Sequence, residues 1–350
     1  MRTNLLACDL DHIINHTYGL WNELRNKRIF ITGGTGFVGS WLLESFLWAN
    51  DLFGLDASVL VLTRDIDSFR KKAPHIACSS SIDFINGDIR DFFYPEGDFS
   101  HIIHGATTSA VATFNNEDSL VKFDTIVEGT RRLLEFAKRC GTQKLLLLSS
   151  GAVYGKQPND LAHISEAYSG APSTNRTDSA LGEGKRVAEF LCTYYSEKFG
   201  IEIKMARMFS FVGPNLPLDI HYAIGNFIRD GLRGGPILVK GNGTPLRSYL
   251  YVADLTIWLW TILFKGESCI PYNVGSEEAI SIKSLAYKVA MCLKSPVTVE
   301  IIGNYSQDKR NEKYIPSTER AQKHLGLRQW IGLDEGIMRT LSFYLQQIDK

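Results

Sequence analysis

Arg28-Ile29-Phe30-Ile31-Thr32-Gly33-Gly34-Thr35-Gly36-Phe37-Val38-Gly39 reads as a short buried strand that runs into a glycine-rich turn and opens a helix. The three spaced glycines have separate tasks. Gly33 permits the tight turn, Gly36 lets a backbone approach a pyrophosphate, and Gly39 lets helix and strand pack closely. The helix N-terminus adds free N–H groups and the positive end of a dipole, both suited to phosphate. Gly33, Thr35, Gly36, Phe37, Val38 and Gly39 are therefore the expected dinucleotide contacts.

Working outward, Val59 to Leu62 reads as a second buried strand, ending in Leu62-Thr63-Arg64-Asp65. An NAD site commonly places a carboxylate there to accept from ribose hydroxyls. This chain has Thr63 at that place and Arg64 next. A guanidinium pairs with a 2′-phosphate, so the cofactor expectation is NAD(P) with NADP favoured, unless Asp65 turns inward. Further apolar runs at 82–85, 102–104 and 145–148 read as strands, separated by helical stretches such as 37–50 and 117–139. Strands alternating with helices predict an α/β fold: a Rossmann-type, doubly wound parallel sheet covered on both faces. A helical extension is expected at 4–26. Beyond about residue 208 the alternation loosens, as for a smaller second lobe.

Composition narrows the field. The 350 residues carry 38 Lys+Arg against 38 Asp+Glu. A zero net charge argues against nucleic acid as the partner. Six cysteines, with no pair at metal-ligand spacing, read as reduced and mostly buried thiols, and no metal site is expected. The most apolar run, Leu255 to Phe264, is about half a bilayer span. The expectation is a cytoplasmic protein that does not enter a membrane.

With these residues in hand, the chain resembles the extended short-chain dehydrogenase/reductases of the NAD-dependent epimerase/dehydratase, nucleotide-sugar type. The resemblance runs from Arg28 nearly to the C-terminus. Gly87-Asp88-Ile89-Arg90 is similar to the family stretch that reaches the adenine, implying Asp88 and Ile89. His104-Gly105-Ala106-Thr107 resembles the segment lining the dinucleotide, implying Ala106 and Thr107. Ser149 to Gly155 resembles the strand end that carries the catalytic Ser or Thr, so Ser149 or Ser150 would polarise the substrate oxygen. Arg207 to Pro214 resembles the R-x-x-N-x-x-G-P turn, with Ser210 in place of Asn. Arg247-Ser248-Tyr249-Leu250-Tyr251-Val252-Ala253-Asp254 resembles the segment whose arginine grips a diphosphate, which makes Arg247 the substrate anchor. Tyr272-Asn273-Val274-Gly275 completes the ordered set. The resemblance implies a nucleotide-diphosphate sugar as partner, contacted by Thr107, Ser150, Ser210, Asn226 and Arg247. It also implies a homodimer.

The family's chemistry needs Tyr-x-x-x-Lys on one helix face. The tyrosine moves the proton, and the lysine lowers the tyrosine pKa and holds the nicotinamide ribose. Here the segment reads Leu181-Gly182-Glu183-Gly184-Lys185, with Ala188-Glu189 downstream. Lys185 is in place, but Leu181 has no ionisable proton. Three explanations stay open. Leu181 is an engineered knock-out, or a natural divergence in which Glu183, Tyr154 or a water moves the proton, or the mark of a binding protein. A second Tyr-x-x-x-Lys at Tyr194 and Lys198 sits roughly 20 Å along the same helix and reads as a decoy.

Gly151 and Ala152 stand where the family's dehydratases carry an Asp and a Glu, and the decarboxylases also use a carboxylate at the Ala152 position. An epimerase or 4-keto reductase is therefore expected. A 4,6-dehydratase-like enzyme, a non-sugar carbonyl reductase and a silent nucleotide-sugar-binding protein are the alternatives. The expected domains are an extension at 1–27, a dinucleotide domain at 28–207 with about 247–264, and a substrate domain at 208–246 and 265–350. His104 and the Trp258–Trp260 pair are expected to be packing residues. Glu166 is expected to be a solvated loop carboxylate. His221 is weighed with Asn226 as a sugar contact.

Overall fold

A computed structural model describes residues 4–107, 117–220, 222–303 and 312–348. The chain divides into two compact units. The first holds 1–155, 171–208 and 256–272; the second holds 156–170, 209–255 and 273–350.

The first unit is built on a seven-stranded sheet. Its strands are β1 (Arg28–Thr32), β2 (Ser58–Thr63), β3 (Ile82–Asn86), β4 (His101–His104), β5 (Lys144–Ser150), β6 (Glu202–Met208) and the edge strand Pro271–Val274. The order is edge strand, β6, β5, β4, β1, β2, β3. Pairings from β3 through β6 are parallel. The strand order reverses between β1 and β4, so their C-terminal ends flank the crevice where doubly wound sheets bind ligands. Near-continuous apolar runs such as Ile29-Phe30-Ile31 and Leu145-Leu146-Leu147 are buried, as a sheet covered on both faces requires. Phe30, Phe99 and Phe136 meet with ring centroids 5.0–5.6 Å apart in this core. Truncating one such ring to alanine costs about 3–5 kcal/mol.

The N-terminal extension is not one continuous helix. It forms Ala7–Thr17 and a short 3-10 turn at Trp21–Leu24. Gly19, at φ +86°, breaks the run between them. The extension belongs to the first unit. Trp21 stacks on Trp260 with centroids 4.7 Å apart, and Glu23 accepts from Lys144 Nζ at 2.7 Å and contacts His101 Nε2 at 3.0 Å. Trp258 and Trp260 are both buried. The expectation of mostly buried thiols fails: only Cys140 and Cys192 are buried, while Cys8 and Cys78 are exposed. Cys8 faces outward on the first helix, whose apolar side is Leu10, Ile13 and Ile14.

The second unit is made of small pieces. Strand Leu246–Arg247 lies between Ile280–Ser281 and Lys313–Tyr314. Phe211–Val212 pairs with Leu250–Tyr251, and Ile237–Val239 with Val299–Ile301. The Asp254 carboxylate gathers this unit by accepting from the backbone N–H groups of Trp330 and Ile331 at 2.8 and 2.9 Å. Among the described residues, no helix is long and apolar enough to cross a membrane.

Candidate active site

The glycine turn joins β1 to the helix Phe37–Phe53. Gly33 has φ +75°, and a Cβ there would come within 2.6 Å of Gly105. At Gly39 a Cβ would come within 2.5 Å of Gly34 Cα, so that glycine is demanded by packing inside the protein. Gly36 is different. It is exposed, has φ −75°, and a Cβ there would meet only Gly33 O, at 3.4 Å. Among the described residues nothing requires glycine at that position, and the space in front of the helix N-terminus is open. That is the cradle a pyrophosphate fits. Thr35, Phe37 and Val38 line the same turn and are half-buried.

At the end of β2, Thr63 is buried and its hydroxyl lies 3.5 Å from that of Thr35. Asp65 does not turn inward. Its carboxylate caps the helix Ile66–Lys72 by accepting from Ser68 N at 2.8 Å. Arg64 is exposed, and its charge helps lower the pKa of Asp88, although the largest lowering comes from the hydrogen bond with Arg90. Asp88 Oδ1 also accepts from the Arg90 backbone N–H at 3.0 Å. Ile89 is buried against Gly129.

The end of β5 is anchored by three side-chain hydrogen bonds. Lys185 is buried on the helix Ala180–Phe199 and donates from Nζ to Leu148 O at 2.7 Å. Burial pushes its ammonium down to about 8, although Cys192 and Glu189 pull the other way. Ser149 is buried, and its hydroxyl donates to Glu189 Oε1 at 2.5 Å. Ser150 is half-buried, and its oxygen accepts from Ala152 N at 3.1 Å. That bond leaves the Ser150 proton free to point at another acceptor. Leu181, one turn before Lys185, is 36% exposed. Gly182 lets this helix approach the turn after Ser150, where a Cβ would come within 2.5 Å of Ala152 O.

His104 is fully buried between the hydroxyls of Thr32 and Thr130, at 2.8 and 3.0 Å. Burial, and then the Lys185 charge, push it down to about 3. It is therefore neutral and spans two threonines. Ala106 N donates to Thr32 Oγ1 at 3.2 Å, and Thr107 beside it is exposed.

In the second unit, Arg247 Nη2 lies 2.5 Å from Glu312 Oε1, and Nη1 donates to Leu246 O at 2.9 Å. Ser210 is half-buried and its carbonyl accepts from Leu250 N. The Asn226 side chain accepts from Arg229 at 3.2 Å. His221 lies outside the described residues. Glu166 is not a solvated carboxylate: it accepts from the Asn273 backbone N–H at 2.8 Å. Tyr194 and Lys198 are exposed at the helix end, 3.0 Å apart and away from this machinery.

Sequence reasoning gave no role to Glu189 or Glu312, and it weighed Tyr154 only as a stand-in for the missing acid/base, whereas the Tyr154 hydroxyl accepts from Arg207 at 2.9 Å. The available signal for Glu189 was its spacing, one helical turn beyond Lys185 on the same face. Glu312 is 65 residues from Arg247 and had no local signal.

A profile of the NAD dependent epimerase/dehydratase family matches residues 29–275. UDP-glucuronic acid decarboxylase 6 of Arabidopsis thaliana is 32% identical over 313 residues, covering 89% of this chain and 87% of that protein. Among solved structures, a dTDP-glucose 4,6-dehydratase of Streptomyces venezuelae with NAD and TYD bound superposes with a TM-score of 0.79 at 22% identity, covering 92% of this chain and 98% of that one. A UDP-glucuronic acid 4-epimerase of Bacillus cereus, in complex with UDP-glucuronic acid and NAD, gives 0.75 at 22% identity, covering 91% and 99%. The two solved structures share the fold of this chain. The chain belongs to the NAD-dependent epimerase/dehydratase family of nucleotide-sugar enzymes.

Proposed function

We propose that this protein binds NADP and a uridine-diphosphate sugar and catalyses hydride transfer at a sugar carbon, in epimerisation or 4-keto reduction. The observation that carries the reading is the anchored end of β5, where Ser150 accepts from Ala152 N and keeps its own proton, two residues beyond the Leu148 carbonyl that holds the buried Lys185. The dinucleotide supplies the hydride donor or acceptor. The open space at Gly36 takes its pyrophosphate. Arg64 takes a 2′-phosphate, since Asp65 is spent on a helix cap. Lys185 holds the nicotinamide ribose, and Ser150 donates to the reacting sugar oxygen. Arg247 meets the diphosphate, and Ser210, Asn226 and Thr107 are the further substrate contacts that the family resemblance implies.

None of the side chains weighed for the role of Leu181 is placed to receive the proton from that oxygen. Leu181 is inert. Tyr154 is buried, with its hydroxyl bound to Arg207 at 2.9 Å. Glu183, two residues from Leu181, projects from roughly the opposite side of the helix. Water remains as the acceptor, and a missing general base slows the step by about 10²–10⁴.

Decarboxylation is the second reading, favoured by the 32% identity to a UDP-glucuronic acid decarboxylase. Against it stand Gly151 and Ala152, which bring no carboxylate. A homodimer through the helices Ser119–Arg139 and Ala180–Phe199 belongs to the same proposal; exposed Leu120, Val121, Phe190 and Tyr194 on those helices support it.

The test incubates the protein and its Leu181→Tyr variant with UDP-glucuronic acid, UDP-glucose and dTDP-glucose, with NAD or NADP. Nicotinamide absorbance and product mass are followed. An epimer or a 4-keto sugar supports the first reading, and a pentose with loss of carbon dioxide supports the second. Failure of both proteins to bind any of these sugars overturns both.

A further inference from the structure

We infer that Glu189 and Arg207 are positioning residues that set the direction of the Ser150 hydroxyl by gripping the chain on both sides of it. This rests on the proposed reading of Ser150 as the group facing the sugar oxygen.

The argument begins with strand geometry. Successive side chains on a strand point to opposite faces, so holding the strand at Ser149 sets the face from which Ser150 projects. Ser149 is held by Glu189, through a hydroxyl–carboxylate bond of 2.5 Å. Glu189 is itself held by a two-pronged contact from Arg207, with Nε to Oε1 at 3.0 Å and Nη2 to Oε2 at 2.7 Å. Arg207 sits on β6 as the register partner of Ser149. Its third nitrogen donates to the Tyr154 hydroxyl at 2.9 Å, and its guanidinium lies 4.8 Å from the centre of that ring. Tyr154 ends the short turn Gly151–Tyr154 that begins directly after Ser150. One ion pair therefore ties down the residue before Ser150 and the turn after it.

The residues are well placed to act as a unit. Glu189 lies one helical turn beyond Lys185, so one helix face holds Leu148 by its carbonyl and Ser149 by its hydroxyl. The paired charges raise the Arg207 pKa even though burial opposes it, so the guanidinium stays charged throughout the working range. Glu189 and Arg207 also line a cavity of about 300 Å³ with Arg186, Thr193 and Cys269. That space lets water solvate a neutral replacement, so Glu189→Gln should fold.

The test uses Ser149→Ala, Glu189→Gln and Arg207→Lys, each made in the native chain and in the Leu181→Tyr chain. Hydrogen exchange read by mass spectrometry is compared between peptides covering 148–154 and peptides covering β1 to β3. We expect exchange to rise at least tenfold in 148–154 and to stay unchanged in β1 to β3. In the Leu181→Tyr chain, kcat should fall at least tenfold while the KM for the nucleotide sugar stays within twofold. Arg207→Lys, which keeps the charge but loses the two-pronged fork, should fall between native and Glu189→Gln. A uniform rise in exchange across the sheet, or no rise in 148–154, would overturn the inference. A rise confined to 148–154 with kcat unchanged would overturn it as well. If Leu181→Tyr shows no turnover at all, the proposed function fails, and the exchange pattern still decides whether this pair holds the Ser150 segment.

Discussion

Glu312 Oε1 lies 2.5 Å from Arg247 Nη2, so the proposed diphosphate anchor is already paired with a carboxylate of the same unit. Both side chains keep contact with solvent, 23% for Arg247 and 39% for Glu312, so the pair is weak enough to exchange. A diphosphate arriving at Arg247 must replace Glu312. Glu312→Gln should therefore tighten UDP-sugar binding by about three- to tenfold, since a like-charged competitor is removed. Arg247→Ala should weaken binding by about thirtyfold or more. Titration calorimetry with UDP-glucuronic acid measures both. Weaker binding by Glu312→Gln would show that the carboxylate orients Arg247 and does not compete for it.

Leu181→Tyr should raise hydride transfer by about 10²–10⁴ by restoring an acid/base one turn before Lys185. The Lys185 ammonium, held at about 8 by burial, gives a new tyrosine a nearby charge that lowers its pKa. Single-turnover measurement of nicotinamide absorbance with a bound nucleotide sugar reads the gain. A rate equal to that of the native chain would mean that another group already carries the proton.

Five of the seven strands were legible in the sequence because each is a short apolar run. Phe30-Ile31-Thr32-Gly33 and Leu148-Ser149-Ser150-Gly151 show it, and buried parallel strands have that pattern. By contrast β6, with Glu202, Lys204 and Arg207 along it, and the edge strand Pro271–Val274 carry no such run. The phosphate turn was equally legible, because its glycines answer to local geometry. The partners of the site residues were not. Two adjacent serines look equivalent in sequence, and only the third dimension shows Ser149 donating to Glu189 while Ser150 accepts from Ala152 N. Asp65 likewise offered two roles until its bond to Ser68 N chose the helix cap. Contacts across long separations, such as Arg207 with Tyr154 or Arg247 with Glu312, depend on strand order and register, which no local pattern encodes.

Arg64→Ser should lower affinity for NADPH by about tenfold and leave NADH within about twofold, since a charge-assisted contact to phosphate adds roughly 1.5–3 kcal/mol. Fluorescence titration of the two dinucleotides reads the ratio. Equal losses for both would place Arg64 away from the 2′ position.

His104 makes stability depend on acid. Its pKa in the fold is about 3 against an ordinary 6.5, so the unfolded chain binds more protons between these values. Stability is full above about pH 6.5 and is lost as pH falls towards 3, with a slope that approaches about 1.4 kcal/mol per pH unit. Lys185 acts at the alkaline end. With a folded value near 8 against 10.5, it lets stability rise as pH climbs through that window. Urea unfolding of the native chain and His104→Gln at pH 4, 5 and 7 (about one to three units apart) should show the gap between them narrowing as pH falls. A gap independent of pH would mean that His104 is not held neutral in the fold.

Gly36 and Gly39 separate the two reasons a turn can need glycine. At Gly39 an added Cβ would run into Gly34 and the backbone of β1's exit, so Gly39→Ala should destabilise the protein by about 2 kcal/mol or more, or prevent folding. At Gly36 the added Cβ meets only Gly33 O at an ordinary 3.4 Å, and φ is −75°, a value any residue adopts. Gly36→Ala should therefore keep the native melting temperature, or gain slightly from a stiffer unfolded chain. The same methyl group would stand in the space assigned to the pyrophosphate, so dinucleotide binding should fall by about tenfold or more. Melting without ligand and titration with NADPH, run on both variants, read the two effects apart. A Gly36→Ala protein that binds the dinucleotide normally would show that the pyrophosphate does not pass in front of this turn.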